Sequence, residues 1–213
     1  MKKTVIVLIL AVMFVLSGCS FGSSVEKMLS DTMSKMTSEE KGYRDAQKDL
    51  TELEIKEQKL FNDTMELTKE QQDELTASVT QLKDLLDQRL AHIEAEQKSM
   101  NQAKGSADDF DDIVEQADES DKKNIEGLKA AVINRYKLHS DFISAYKDLT
   151  ALQNELYAML DAEETNLTEL RGKVSEVNAQ NDTVKTVIAS FNDATEKVNV
   201  QKDDVFAGLR KEE

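Results

Sequence analysis

The 213-residue chain has no proline, no tryptophan and only seven glycines. Proline and glycine end helices and shape tight turns, so a chain this poor in both is a poor candidate for a β-sandwich or a loop-rich enzyme. Hydrophobic residues make up 39% of the sequence and aromatic residues 5%. The hydrophobic fraction is below the roughly 45–50% of ordinary globular domains. These shortages favour a fold made of a few long helices.

Basic residues are also scarce. The chain has 27 lysines and arginines against 42 aspartates and glutamates, which gives a formal net charge of −15 at pH 7. Such a surface repels nucleic acids and other polyanions, so we expect no nucleic-acid partner. The short motifs of zinc proteases, serine hydrolases and phosphate-binding loops are missing as well. We therefore predict a protein that is not an enzyme and carries no cofactor.

The N-terminus has the pattern of an exported precursor. Lys2 and Lys3 form a short basic segment, and residues 4–16 form an apolar run without charge. A helix that spans a bilayer needs about 20 apolar residues, so this run matches the core of a signal peptide instead. We predict that residues 1–18 are a signal peptide that is removed.

The single cysteine follows this run directly, in the sequence Leu16-Ser17-Gly18-Cys19. An apolar residue, two small residues and a cysteine form a lipobox, in which the thiol accepts diacylglycerol before the bond between Gly18 and Cys19 is cut. Two acyl chains on one residue anchor a protein stably. We therefore predict a lipid anchor on Cys19, residues 19–24 as a short tether, and a location on the extracytoplasmic face of the cell membrane.

Residues 25–207 have the pattern of long helices. Apolar residues recur about every 3.5 residues with charged residues between them, as in a coiled coil or helical bundle. Turn signals fall at Thr68–Gln71, at Asp118–Asp121 and at residues 161–166, and residues 208–213 form a charged tail. Four segments of comparable length predict an all-α, long four-helix up-and-down bundle. Because apolar spacing runs almost unbroken through the third turn, an extended coiled-coil hairpin with fewer, longer helices is the alternative.

Two groups of polar residues are candidates for metal binding. Eight carboxylates lie close together: Asp108, Asp109, Asp111, Asp112, Glu115, Asp118, Glu119 and Asp121. Hard cations such as calcium prefer oxygen ligands, but this spacing lacks the glycine and the terminal glutamate of an EF-hand loop. The two histidines, His92 and His139, lack the Glu-x-x-His pattern of di-iron bundles. We predict a solvated acidic turn, packing or exposed histidines, and no metal site.

Five residues of the last helix share one seam. They are Asn192, Thr195, Asn199, Lys202 and Phe206, at spacings of 3, 4, 3 and 4 residues. We call them the C-terminal seam. Polar residues on a seam cost stability but fix register and partner. We interpret the C-terminal seam as a register element, and the alternative is the lining of a ligand groove.

Residues throughout the body resemble those of a known family. They are Leu53, Glu54, Lys56, Glu57, Leu60, Phe61, Arg89, Glu94, Glu96, Arg135, Tyr136, Leu156, Tyr157 and Asn178, followed by Phe191 and the C-terminal seam. In these residues the chain resembles the YkyA-type cell-wall-binding lipoproteins of Gram-positive bacteria. Val198 and Phe206 depart from the pattern, because tyrosine is expected there in many relatives. The resemblance implies a four-helix up-and-down bundle on the cell surface and no catalytic residues.

The lipobox, the long helices and the resemblance together predict a non-enzymatic, membrane-anchored lipoprotein that binds a cell-wall component. The alternative is an envelope scaffold or adaptor that binds another protein, since long helices offer surfaces for helix-in-groove recognition. A solute-binding lipoprotein is disfavoured, because that class is expected to be α/β and richer in glycine, proline and aromatic residues.

Overall fold

The computed structural model describes residues 24–68, 70–162 and 166–210, and every regular element among them is helical. The elements are α1 (Ser24–Glu39), α2 (Lys41–Thr64), α3 (Gln72–Gly105), a 3-10 segment (Ser106–Asp109), α4 (Phe110–Gln116), α5 (Glu119–Leu160) and α6 (Leu167–Leu209). They make four helical segments, because α1 leads directly into α2, and α3 leads through the 3-10 segment into α4. The predicted all-α four-helix bundle is confirmed, and the alternative with fewer, longer helices is wrong.

The three predicted turns lie between the four segments. Between α2 and α3, the backbone N–H of Thr68 donates to Oε1 of Gln71 at 3.1 Å. Between α4 and α5, the backbone becomes extended at the residue after α4. Between α5 and α6, Oδ1 of Asn166 accepts the N–H of Thr168 at 2.8 Å and caps α6. Residues 163–165 of this third turn lie outside the described residues.

The structure also breaks two segments that the apolar spacing predicts as continuous helices. Glu40 separates α1 from α2, and the 3-10 segment separates α3 from α4. Gly105, a residue of low helix propensity, ends α3. The next side chain, Ser106, donates a hydrogen bond to Oε2 of Glu39 at 2.6 Å. The break in the second segment therefore coincides with a side-chain contact to α1.

The helical segments contribute to two compact units, and each unit contains a stretch of all four segments. Unit 1 comprises the described residues of 24–44, 98–138 and 190–210, and unit 2 those of 45–97 and 139–189. Unit 1 has one apolar core, whose fully buried large side chains include Leu29, Phe110, Ile113, Ile125 and Leu128. Unit 2 has two apolar clusters, one that includes Ile93 and Ile143 and one that includes Val79 and Leu82.

The last helix continues two residues past the predicted boundary at residue 207. Leu209 ends α6 and is buried in the core of unit 1, because it extends the apolar seam of that helix. Nε of Arg210 lies 2.8 Å from Oε1 of Glu26, near the start of α1. The predicted charged tail therefore starts later than expected, and its residues 211–213 lie outside the described residues.

The predicted signal peptide, Cys19 and the tether up to residue 23 also lie outside the described residues. Within the described part of the chain, no helix combines the length and the apolar character needed to cross a membrane.

Candidate functional site

Buried polar side chains form three clusters among the described helices. In unit 1, Arg135 of α5 donates from Nη1 to Oε1 of Glu40 (2.6 Å) and from Nη2 to Oε2 (3.1 Å). This two-point contact is the geometry in which arginine binds a carboxylate most strongly. The hydroxyl of Tyr136 also donates to Oε1 of Glu40 (2.7 Å), and Nε of Arg135 donates to Oγ1 of Thr195 (2.9 Å). We call these four residues the Glu40 cluster.

The charges of the Glu40 cluster are almost fully shielded from water, with Glu40 4% and Arg135 5% exposed. The guanidinium carbon of Arg135 lies 5.0 Å from the ring centroid of Phe191, within cation–π range. Burial lowers the pKa of Arg135, whereas the charge and hydrogen bonds of Glu40, together with Tyr136 and Tyr43, raise it, and the net shift is upward. Burial, reinforced by Glu40, raises the pKa of Tyr136 well above its usual range. The phenol therefore stays protonated and remains a donor.

In unit 2, Arg89 of α3 is 3% exposed and contacts residues of two other helices. Its Nη1 lies 2.5 Å from Oε2 of Glu57, and its Nε donates to the hydroxyl of Tyr146 at 2.8 Å. The tyrosine hydroxyls in turn donate to carboxylates, Tyr146 to Glu54 (2.7 Å) and Tyr157 to Glu57 (2.5 Å). Nη1 of Arg89 also donates to Oε1 of Gln153 at 3.1 Å. The resulting Arg89 cluster consists of Arg89, Glu54, Glu57, Tyr146, Gln153 and Tyr157.

The Arg89 cluster places one guanidinium among two carboxylates, and the tyrosines supply the further donors that the carboxylates need. Burial lowers the pKa of Arg89, whereas Tyr146 and then Glu57 raise it, and the net shift is upward. Burial raises the pKa of Tyr146 and of Tyr157 well above the usual range. The cluster thus combines a permanently charged arginine with neutral phenols.

The third cluster joins three helices of unit 2. Nε2 of His139 lies 2.7 Å from Oε1 of Glu96, and Nε2 of Gln47 donates to Oε2 of Glu96 at 2.7 Å. Glu96 is 0% and His139 is 2% exposed. We call these three residues the Glu96 cluster. His92, by contrast, is half-buried, and its Nδ1 lies 3.6 Å from Oδ2 of Asp49.

The three clusters are suited to fixing helix pairing rather than to chemistry on a ligand. Except for the half-buried Glu54, their charged groups are buried and bonded to one another across helices, so they are held away from solvent. Buried ion pairs add little net stability because desolvation opposes their attraction, but they can specify which residues meet. Among the described residues, no group of three or more histidine, cysteine, aspartate or glutamate side chains is placed to hold a metal ion.

The acidic stretch at residues 108–121 is mostly helix surface, which corrects the prediction of a single solvated acidic turn. It runs through the 3-10 segment, α4 and the start of α5. Three of its carboxylates pair with lysines: Asp109 with Lys35 (2.9 Å), Asp111 with Lys129 (2.5 Å) and Glu119 with Lys122 (2.7 Å). Lysines of α1 and α5 therefore neutralise part of the stretch.

The C-terminal seam lies in unit 1, and all five of its side chains are half-buried. Thr195 joins the Glu40 cluster, since its hydroxyl accepts from Arg135 and donates to the carbonyl of Phe191 at 2.9 Å. Phe206 packs against the core of unit 1. The buried Oδ1 of Asn199 has no hydrogen-bond partner in the described structure.

The remaining seam residues are placed separately. Asn192 lies one turn before Thr195 on α6, and Nζ of Lys202 lies 3.5 Å from Oδ1 of the adjacent Asp203. Thr195 is thus connected to a charged partner on another helix, Arg135 of α5. The register role of the whole seam stays a prediction.

The sequence did contain a signal for the buried charges. Arg89 and Glu96 lie three or four residues from Leu86, Ile93 and Met100, at positions of the helix where the pattern calls for an apolar residue. A charge at such a position is placed in the core and needs a partner there. Among the cluster members, the sequence pattern predicted only Thr195 as a site residue, and it offered His139 only as a metal ligand that was then disfavoured. Seven members carried only the family resemblance: Glu54, Glu57, Arg89, Glu96, Arg135, Tyr136 and Tyr157. Four were not identified from the sequence: Glu40, Gln47, Tyr146 and Gln153.

The helices of the described residues define the chain as an all-α bundle protein. Comparison with known families is more specific: residues 24–207 match the YkyA family, described as "Putative cell-wall binding lipoprotein". The chain belongs to this family, and the resemblance seen in the sequence is confirmed. It is 27% identical over 206 residues to the uncharacterized lipoprotein YkyA of Bacillus subtilis (strain 168), a match that covers 94% of this chain and 91% of the relative.

A solved structure has the same fold. A 1.6 Å crystal structure of a conserved protein of unknown function from Staphylococcus aureus superposes with a TM-score of 0.74. The sequences are 22% identical, and the match covers 89% of this chain and 97% of the other. This likeness supports the helical fold and says nothing of a ligand.

Proposed function

We propose that this protein is a non-enzymatic lipoprotein, held by its lipidated Cys19 on the extracytoplasmic face of the cell membrane, and that its helical body binds a cell-wall component. The observation that carries the proposal is the family match over residues 24–207, which begins five residues after the lipobox cysteine. In this proposal residues 1–18 are removed and residues 19–24 form the tether.

The positions of the start of α1 and the end of α6 support the proposal that one end of unit 1 faces the membrane. α1 begins at Ser24, and five residues beyond Cys19 reach at most about 17 Å. The contact between Arg210 and Glu26 brings the end of α6 to the same end of unit 1. The start of α1 and the end of α6 would therefore both lie near the lipid.

The charge distribution constrains the wall component. Unit 2 is much more acidic than unit 1: residues 45–97 and 139–189 carry 23 acidic and 10 basic residues. Residues 24–44, 98–138 and 190–210 carry 17 acidic and 14 basic residues. Anionic wall polymers are repelled by unit 2 unless a divalent cation bridges the charges. The wall component would therefore be cationic, uncharged, or bound through such a cation.

A second candidate is an envelope adaptor that binds another protein. The exposed large hydrophobic residues favour it, because four of the five belong to unit 2: Ile55 (65% exposed), Met65 (52%), Leu167 (60%) and Val174 (36%). Apolar side chains on an otherwise acidic surface are more typical of protein recognition than of polymer binding.

Co-sedimentation with isolated cell walls tests the first proposal. The purified lipoprotein is mixed with walls, with walls and calcium, and with walls and a chelator. Wall binding predicts that the protein pellets in at least one of these mixtures, and that Ile55→Ser changes the bound fraction little. Absence of pelleting in all three would contradict wall binding, and crosslinking in living cells to one protein, lost in Ile55→Ser, would favour the adaptor.

A further inference from the structure

The first helical segment is broken by a side chain from another helix. The Ser99 hydroxyl of α3 donates to the carbonyl of Glu39 at 2.6 Å and accepts the N–H of Tyr43 at 3.0 Å. In an uninterrupted α-helix these two backbone groups, four residues apart, bond each other. A side chain inserted between them is a recognised cause of a kink. Gly42, inside the break, further lowers helix propensity.

The second segment is broken close by, and the two breaks are tied together. Ser106, the first residue of the 3-10 segment, donates to Oε2 of Glu39. Lys35, one helical turn before Glu39, pairs with Asp109, three residues after Ser106, at 2.9 Å. A 3-10 stretch in the middle of a helix often marks a hinge. Both breaks therefore lie where α1 meets the second segment.

Beyond the breaks, α1 packs against the 3-10 segment and α4. The buried side chains of α1 include Met33 and Met36, and Met100 of α3 belongs to the same apolar core. Methionine is unbranched and flexible, so it can keep apolar contact while neighbouring helices shift. The same core also contains Ile125 of α5 and Phe191 of α6. This shared core can therefore adjust when α1 and α4 shift together against α5 and α6.

Glu40, the residue between α1 and α2, is held firmly by its hydrogen bonds. Glu40 is 4% exposed and is bound by two nitrogens of Arg135 and by the hydroxyl of Tyr136. Moving it would separate a buried ion pair, which is strongly unfavourable. Glu40 therefore stays in place, although the helix backbone around it is interrupted between Glu39 and Tyr43.

We propose that α1, the 3-10 segment and α4 move as one piece, the anchor arm, which turns at the Glu39–Tyr43 break and at Gly105–Ser106 while Glu40 stays fixed. The motion is a hinge with a small shear, one of the common modes of conformational change. If the lipid anchor of the proposed function is present, the arm is the part of the body that receives a pull from the membrane. The motion itself does not depend on that anchor.

Distances between pairs of spin labels test the arm within unit 1. One pair, at Asp31→Cys and Glu115→Cys, lies within the arm on exposed positions of α1 and α4. The second pair, at Asp31→Cys and Lys197→Cys, joins the arm to α6. The third pair, at Glu126→Cys and Lys197→Cys, joins α5 to α6 and serves as the rigid reference. The arm predicts that the second distribution is about twice as wide as the first and the third.

Two outcomes overturn the motion. If the distance distribution between labels at 31 and 197 is as narrow as that between labels at 126 and 197, α1 does not move against α6. If the distance distribution between labels at 31 and 115 is as wide as that between labels at 31 and 197, α1 and α4 move independently and no common arm exists.

Ser99→Ala tests the pivot, with Ser144→Ala as the matched control. Ser144 also donates to a backbone carbonyl, that of Ser140 in its own helix, but bridges no break. Removing the Ser99 hydroxyl is expected to shift the Asp31–Lys197 distribution and to leave the Glu126–Lys197 distribution unchanged. If Ser99→Ala behaves like Ser144→Ala, Ser99 is not the pivot and the proposal is wrong.

The full chain purified from membranes is used, and label uptake by the parent chain is measured first. A lipidated Cys19 takes up no label. Uptake would refute the lipid anchor but not the arm, whose distances would then be measured in a Cys19→Ser background.

Discussion

Replacing Glu40 by alanine removes the counter-charge of a guanidinium that is almost completely buried. Arg135 would keep its hydrogen bond to Thr195 but lose both bonds to the carboxylate, and the Tyr136 hydroxyl would lose its acceptor. Opposite charges roughly 4 Å apart attract by about 4 kcal/mol at an effective dielectric constant of about 20. Removing one partner of a buried pair typically costs about 3–5 kcal/mol. We expect Glu40→Ala to lower the free energy of unfolding by this amount.

The assay is urea unfolding followed by far-UV circular dichroism, with the free energy of unfolding compared between variants. Lys35→Ala is the control, because its ion pair with Asp109 is exposed, with side chains 52% and 46% accessible, and such pairs contribute little. The double variant Glu40→Leu with Arg135→Met removes both charges and should recover most of the loss, since apolar replacements of buried pairs are often neutral. If Glu40→Ala unfolds at the same urea concentration as Lys35→Ala, the buried ion pair between Glu40 and Arg135 does not have the predicted effect on stability.

Two further predictions concern the other buried groups. The pKa values of Tyr136, Tyr146 and Tyr157 are raised in the folded state, so the fold holds these protons more tightly than the unfolded chain does. Their stabilisation is complete below about pH 10, the ordinary tyrosine pKa, and is lost as the pH rises further. In a Tyr43→Phe background, which removes the half-buried fourth tyrosine, tyrosinate absorbance and loss of helicity should therefore rise together above that pH. Tyrosinate formation in that variant while it is still fully helical would contradict this. His139→Ala leaves the fully buried Glu96 without one of its partners and should cost about 3 kcal/mol in urea unfolding. If His92→Ala, at a half-buried histidine, lowers the free energy of unfolding as much as His139→Ala does, the buried contact between His139 and Glu96 is not the cause of the loss.

The helices could be predicted because their signals are local. Apolar residues at 3.5-residue spacing marked the four segments, and side chains such as Asn166 marked a helix start from within the same turn. Even the third turn, where apolar spacing continued, lies where its capping residues placed it.

The breaks and the clusters could not be predicted in the same way, because their causes are far apart in sequence. Nothing near Glu40 shows that Ser99, 60 residues from Glu39, would enter the helix backbone there. The C-terminal seam identified Thr195 but not its partner Arg135, which is 60 residues away on α5. The apolar spacing does not say which partner a charged residue such as Arg89 or Glu96 meets, whereas the structure pairs each with residues of other helices. The spacing of apolar residues predicts the helices, but only the packing of the helices shows which charged side chains contact each other.

The anchored lipoprotein proposed for this chain requires a lipid on Cys19. Cells that express the full chain or its Cys19→Ala variant are grown with radioactive palmitate, and both proteins are immunoprecipitated. We expect label in the parent protein, which fractionates with membranes, and no label in the variant, which keeps its signal peptide. Equal label in both proteins, or an unlabelled parent protein, would contradict it.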